Sequence, residues 1–525
     1  MVELVPLPRD LHLDAVRVGE TPQRPERPAE ELSQLVLARQ PQGVLEGDGI
    51  QRPLGRAVEG EDHAGGVVPR LDRHLADGED VRLELRLVEL EPVARGRTPD
   101  EARLAQRHGQ VRRDHATILP HGAGTPARED NVRVTASASA PAFDAATFLP
   151  DELLERFRER AARVDRDNVF PDEDLAELKD AGYLAILVPQ ALGGAGLGLA
   201  EASMLQQRLA GAAPATALAI NMHLVWTGVA KVLADRGIET LRFVQEGAAA
   251  GEVFAFGISE AGNDLVLFGS DTDAAPQPDG SYVFTGTKIF TSLAPVWTQL
   301  GLHGLDTTSP DGPQMVYAFV PRSDAVRTRD DWDTVGMRGT QSRTTELHGV
   351  VAPADRVVRR VAPGPNPDPI VFGIFSVFEL LLASVYTGIA RRAIEVAVAT
   401  AKKRTSKKTG ATYSQDPDIR WRIAEMALAY DALPPQLASL SRDVDTLADH
   451  GAQWFALLSG VKHRAVTTAK RVVDEAVLVA GGSSYFSGSE LGRLYRDVLA
   501  GLFHPSDPES AHSTVAAAWL GPVES

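Results

Sequence analysis

The stretch from Pro369 to Ala390 most constrains what this chain can fold into. It reads Pro-Ile-Val-Phe-Gly-Ile-Phe-Ser-Val-Phe, then Glu379, then Leu-Leu-Leu-Ala-Ser-Val-Tyr-Thr-Gly-Ile-Ala. Such a run predicts a long helix, apolar nearly all round, that needs a large core to bury it. A central carboxylate is expensive in lipid, and Arg391, Arg392 and Glu395 follow, so burial in protein is expected rather than a membrane span. A carboxylate in apolar surroundings is either held by a partner or kept partly protonated by desolvation, which raises its pKa. Both states suit proton abstraction, which makes Glu379 a candidate base. The structural alternative is a residue near the helix start that faces a solvated cleft and favours the helix dipole.

The 525 residues and 43% hydrophobic content are ample for several packed units. A net charge of −17 without a basic tract argues against nucleic-acid or anionic-membrane partners. With no cysteine, disulfides, thiolate metal sites and thiol nucleophiles are excluded. The first residues lack a basic segment followed by an apolar one, so no secretory signal is expected and the location expected is cytoplasmic.

Composition divides the chain. Residues 1–142 contain no aromatic residue and no lysine, and their short apolar fragments never join into a core-sized pattern. They are expected to be disordered, or an extension arising from a misassigned start, and carry no functional assignment. Over 143–250 the pattern predicts an all-helical domain, with amphipathic segments at 150–166, 171–182, 200–211, 220–236 and 238–246. Over 251–365 it changes to period two, with strands expected at 253–258, 282–291 and 314–321 between Pro-Asp-Gly turns, forming a small β barrel or sandwich. Helices return over 366–525, near 371–404, 417–447, 453–481 and 489–502, the second interrupted by Pro434-Pro435. The fold class expected is therefore α+β multidomain, in the order helices, β domain, helical bundle.

The glycine cluster 193–198 does not satisfy G-x-G-x-x-G and lies among helices, so a tight interhelical loop is expected rather than a Rossmann site. Phe256-Gly-Ile-Ser-Glu-Ala-Gly-Asn-Asp264 ends a strand with small and polar groups. It suits either an ordinary turn or a loop that presents N–H groups to a phosphate or a polar ring edge. In Lys288-Ile-Phe-Thr-Ser292, Phe290 is placed either in the core or flat against an aromatic ligand whose edge Ser292 would bond. Arg404 suits an anion or the helix dipole, and Gly481-Gly482 reads as a helix C-cap. No metal spacing and no G-x-S-x-G elbow is present.

Taken in order, these segments resemble the acyl-CoA dehydrogenase superfamily of flavoproteins, from about Pro150 to the end. Pro189…Gly198, Ile258–Asp264, Lys288–Ser292, Met337-Arg-Gly-Thr340, Arg404-Thr405, Ala424-Glu-Met426, Gly481-Gly482 and Arg496-Asp497 carry the resemblance. It implies a helical domain, a β domain and a C-terminal four-helix bundle, with FAD, or alternatively FMN, between the last two. By the same resemblance Phe256, Ile258, Ser259, Gly262, Asn263, Phe290 and Ser292 contact the flavin. Arg404, with Gly481 and Gly482, serves a neighbouring subunit's cofactor, implying a homodimer or homotetramer. Two departures bear on the cofactor: Leu478 replaces a glutamine usual there, and the Ser259–Asp264 loop is about two residues short.

The resemblance also places a catalytic glutamate eight residues after the Arg-Asp pair, where this chain has Pro505. A minority of the family carries its base on the first bundle helix, at a position aligning with Phe378, one residue before Glu379. One residue along a helix is a turn of about 100°. Oxygenases of the same fold instead have a histidine near the flavin C4a carbon, and His504 matches it. The first expectation is thus an FAD-dependent dehydrogenase acting on the CH–CH bond of an acyl thioester in fatty-acid metabolism. Glu379 would be its base, Asp507 and Glu509 weaker candidates, and an electron-transfer flavoprotein its acceptor. The second is a two-component monooxygenase with His504 at the oxygen site and a partner flavin reductase. The third is a flavin- or acyl-binding paralogue without a base.

Overall fold

The computed structural model describes residues 143–523; the expectation for residues 1–142 falls outside the described residues. Five helices come first: α1 (Asp151–Asp167), α2 (Asp172–Asp180), α3 (Leu199–Ala210), α4 (Pro214–Ala234) and α5 (Arg242–Ala249). Helix α4 begins six residues before its predicted start because Pro214 sits at its first turn, where a missing N–H costs nothing. The glycine cluster is an interhelical loop, with Gly193 and Gly196 at φ +88° and +69°.

The middle of the chain forms β1 (Phe254–Gly257), β2 (Asp273–Pro276), β3 (Tyr282–Thr291), β4 (Gln299–Asp306), β5 (Gln314–Pro321), β6 (Val326–Thr328), β7 (Arg343–Ala352) and β8 (Val357–Val361). They make one mixed sheet in the order β6-β7-β3-β2-β4-β5-β8, with β1 parallel to β4. Strands β5 and β7 lie four places apart on that path yet touch, so the sheet curls over on itself. The periodicity missed β2, β4, β6, β7 and β8; β4 is buried at six of eight positions and so lacks the alternation of a half-exposed strand.

The last segment contains α6 (Pro369–Lys403), α7 (Pro417–Asp431), α8 (Leu433–Asp445), α9 (Trp454–Ala480), α10 (Glu490–Val498) and α11 (Pro508–Leu520). The interruption expected at Pro434-Pro435 separates α7 from α8, whereas α11 was not foreseen. By length and composition α4 and α6 would cross a membrane, but 89% of each apolar window is buried inside the protein. Helix α4 also packs on the sheet: the Trp226 indole donates to the Ala255 carbonyl at 2.9 Å. A side chain at Gly301 on β4 would collide with that indole, its Cβ falling 2.3 Å away.

Candidate active site

Strand β1 meets helix α6 at the stacked rings of Phe256 and Phe378, 5.6 Å apart and 23° from parallel. Trp226 lies 5.3 Å from Phe256 on another side. Both phenylalanines are buried, and so is Ile258. The side chains of Phe256 and Ile258, expected at the cofactor, are therefore spent in the core. Asn263 is likewise occupied: it donates to Glu260 and to the Gly269 carbonyl, and accepts from the Leu265 N–H. Outward the loop presents half-buried Ser259 and exposed Ala261, Gly262 and Asp264, with Gly262 at φ +79°. The Ser259 carbonyl accepts from Ile289 at 2.9 Å, which fastens the loop to β3.

Beneath that loop lies an ion pair that sequence reasoning missed. Lys288 Nζ approaches Glu260 Oε1 at 2.6 Å with both side chains nearly sealed from solvent. Ser270, Thr272 and the Asp271 amide also donate to Glu260, and Lys288 reaches His303 Nδ1 at 3.3 Å. Burial pushes the Glu260 carboxyl up, but Lys288 and the hydrogen bonds outweigh it and hold the group well below its usual range. Burial lowers Lys288 to about 8, against the pull of Glu260. The available signal was a single charged residue inside a strand. Lys288→Met should cost about 3–5 kcal/mol by leaving Glu260 charged and unpaired. A thermal melt checks this, and the deficit should shrink as pH falls and Glu260 takes up a proton.

Phe290 stands at the end of β3 where the pairing with β7 shifts register, at φ +56°, a conformation few non-glycine residues adopt. The residue is 56% exposed, and its ring lies nearly perpendicular to that of Trp332 with centroids 6.2 Å apart. Two residues on, Ser292 Oγ meets Ser342 Oγ at 2.7 Å, Ser342 meets Thr340 Oγ1 at 2.7 Å, and Thr340 meets the Met337 carbonyl at 2.9 Å. A carbonyl only accepts, so each hydroxyl in turn donates down the chain and Ser292 Oγ keeps only lone pairs for a ligand. An exposed aromatic side chain beside a fixed acceptor fits a flat ring with an N–H on its edge, as a flavin has at N3 in either redox state and at N5 only when reduced. The Met337 N–H donates to Asp497 Oδ1 of α10 at 2.6 Å, and Arg496 forms a two-pronged ion pair with Asp165 of α1 at 2.6 and 2.8 Å. The Phe290–Ser292 segment is thereby tied to the helical bundle.

After α10 the chain makes a short turn, Leu499–Leu502, exposes Phe503 and reaches half-buried His504. His504 Nε2 lies 2.8 Å from the Tyr386 hydroxyl on α6. Burial, helped by the Lys462 cation, pushes the imidazole well below its ordinary pKa, so it is neutral at neutral pH. Lys462, itself buried on α9, donates to the carbonyls of Gly501, His504 and Ser506 at 3.2, 3.1 and 2.9 Å.

Glu379 is 1% exposed and belongs to this enclosure, not to the Phe256–Phe378 face. Its Oε1 accepts from Ser506 at 2.6 Å, and its Oε2 is buried without a partner. Burial raises the carboxyl to about 8 against the pull of Lys462 and the Ser506 bond. Asp507 caps α11 by accepting from Ser510, and Glu509 is exposed on its first turn. At the far ends of α6 and α9, Arg404 donates to the Ala480 carbonyl at 2.7 Å, and a Cβ on Gly481 would fall 3.4 Å from its guanidinium. Arg404, Gly481 and exposed Gly482 thus gather at one place, and Leu478 is exposed on the last turn of α9.

The family model described as acyl-CoA dehydrogenase, N-terminal domain, matches residues 146–242, and the one for the C-terminal domain matches 380–506. The Bacillus subtilis protein YdbM, named as a candidate acyl-CoA dehydrogenase, is 26% identical over 70% of this chain and 94% of its own length. An L-evernosamine nitrososynthase from a Micromonospora strain is 27% identical over 70% of this chain and 89% of its own. A dibenzothiophene monooxygenase from Rhodococcus qingshengii is 26% identical over 68% and 88%. Among solved structures, KijD3 in complex with FMN and dTDP-3-amino-2,3,6-trideoxy-4-keto-3-methyl-D-glucose superposes with a TM-score of 0.65. It is 27% identical over 74% of this chain and 96% of that one.

Proposed function

The chain belongs to the acyl-CoA dehydrogenase superfamily, whose members are flavin-dependent oxidoreductases and oxygenases, and we propose that it is an oxygenase that uses reduced flavin and O₂. One observation carries this reading: neither position where the resemblance places the base holds a carboxylate, and a neutral histidine stands beside the second of them. Phe378 is stacked on Phe256, Pro505 has no proton-handling group, and Glu379 is enclosed with Ser506. Dehydrogenation, the first expectation from sequence, needs such a base near working pH and within reach of substrate.

Bound reduced flavin would supply the electrons that activate O₂. Phe290 would lie against its ring and Ser292 would accept from its edge, with Ser259 and Gly262 at its polar side. His504 would act as a hydrogen-bond donor or a base toward substrate and oxygen. The short Ser259–Asp264 loop and the exposed Leu478 favour FMN over FAD, and a partner flavin reductase would deliver it reduced. Oxygen-transferring relatives and an FMN-bound neighbour support this choice.

The full chain, given FMN, NADH and a flavin reductase, should insert isotopically labelled oxygen from O₂ into indole, dibenzothiophene or an amino-sugar nucleotide, read by mass spectrometry. It should also bind reduced FMN more tightly than oxidised FMN. Bleaching of bound oxidised flavin by an acyl-CoA series without air, and no labelled product, would return the chain to dehydrogenation.

A further inference from the structure

Tyr386 is fully buried on α6, and His504 Nε2 is the one partner of its hydroxyl among the described residues, at 2.8 Å. The side chain sits close because Gly501 makes room: a Cβ there would lie 2.8 Å from the tyrosine ring. A phenol holds one proton, and burying it without an acceptor would forfeit a hydrogen bond. The imidazole, being neutral, carries one proton on one of its two nitrogens. If Nε2 held it, Nε2–H would donate to the phenol oxygen and the phenol proton would have no acceptor among the described residues. The buried phenol proton is satisfied only when Tyr386 donates and Nε2 accepts.

We propose that Tyr386 is a positioning residue that fixes His504 in the tautomer with its proton on Nδ1, so that the site meets its ligand with an N–H donor rather than a base. The backbone is held to match, because Lys462 donates to the His504 carbonyl at 3.1 Å and to the carbonyls of Gly501 and Ser506. Ring and main chain are thus each held, and Nδ1 has no hydrogen-bond partner among the described residues. What such a donor recognises is an oxygen bearing lone pairs: that of activated O₂ or a hydroxyl, carbonyl or phosphate of the substrate. The use of the tautomer rests on the oxygenase reading, but the tautomer itself does not.

The test is solid-state NMR of the full chain labelled with carbon-13 and nitrogen-15 histidine. There are 13 histidines, so the spectrum of His504→Gln is subtracted to isolate one. The expected wild-type signal is a neutral ring protonated on Nδ1. In Tyr386→Phe, checked for folding by its thermal melt, the ring should revert toward the Nε2–H form that free neutral imidazole side chains favour. Product formed per NADH should fall about tenfold or more with FMN affinity unchanged. A wild-type ring protonated on Nε2, or one unaltered by Tyr386→Phe, overturns the proposal. An Nδ1–H ring in a protein that yields no oxygenated product leaves the tautomer standing and removes the oxygenase reading.

Discussion

His504→Ala should lower oxygenated product by about 10²–10⁴-fold, the span typical of losing a positioned proton-handling group. NADH-driven oxygen uptake should persist, because nothing in the Phe290–Ser292 segment depends on the imidazole. His504→Asn should retain more product than His504→Gln, since an asparagine amide falls near the Nδ1 position and still donates, whereas the glutamine amide extends toward Tyr386. The ordering is the informative part: equal losses would mean that the ring acts as a base or a wedge. The measurement is labelled product per NADH for the three variants at matched flavin occupancy. The pH profile should carry no step from His504 near neutrality, because burial beside Lys462 keeps the ring uncharged there. A bell with a limb near the ordinary histidine pKa would contradict that enclosure.

Much of this arrangement was legible in the sequence because it depends on order and on local pattern. Helix starts follow proline and acidic first turns, as at Asp151 and Pro417, and the family resemblance fixed which loops to watch. Met337-Arg-Gly-Thr340 and Arg496-Asp497 were picked out separately, and the Met337–Asp497 bond joins them. What stayed illegible is direction. A strand segment does not announce which ring turns inward, and that of Phe256 closes against Phe378 and Trp226. Pairing across long separations is equally invisible: Glu260 finds Lys288, and Tyr386 finds His504. Glu379 was rightly singled out as an unusual carboxylate, but its partner, Ser506, lies 127 residues away. The 100° between Phe378 and Glu379 decides which side of α6 each serves.

Lys462→Met should be the most damaging change in this region, costing about 3–5 kcal/mol, because three carbonyls and a nearby carboxyl lose their only shared cation. Glu379→Gln should behave in the opposite way. A glutamine still accepts from Ser506 and is neutral, as the buried carboxyl prefers to be. The folded carboxyl titrates near 8 and the unfolded one near 4.5. Between those values the native state holds a proton that the unfolded chain has released. The stability tied to that proton is complete below 4.5 and is lost as pH rises through 8. One group changes stability by at most about 1.4 kcal/mol per pH unit. Lys462, lowered mainly by burial, is charged in both states below 8 and adds no slope of its own there. Thermal melts between about pH 5 and pH 8 should therefore show wild type losing ground to Glu379→Gln as pH rises. Product formation in Glu379→Gln should stay within a few-fold of wild type. A variant that folds normally but loses all turnover would show that the enclosure opens during reaction, and would restore Glu379 as the base. The two substitutions thus separate a charge that organises the His504 loop from a carboxylate that works on substrate.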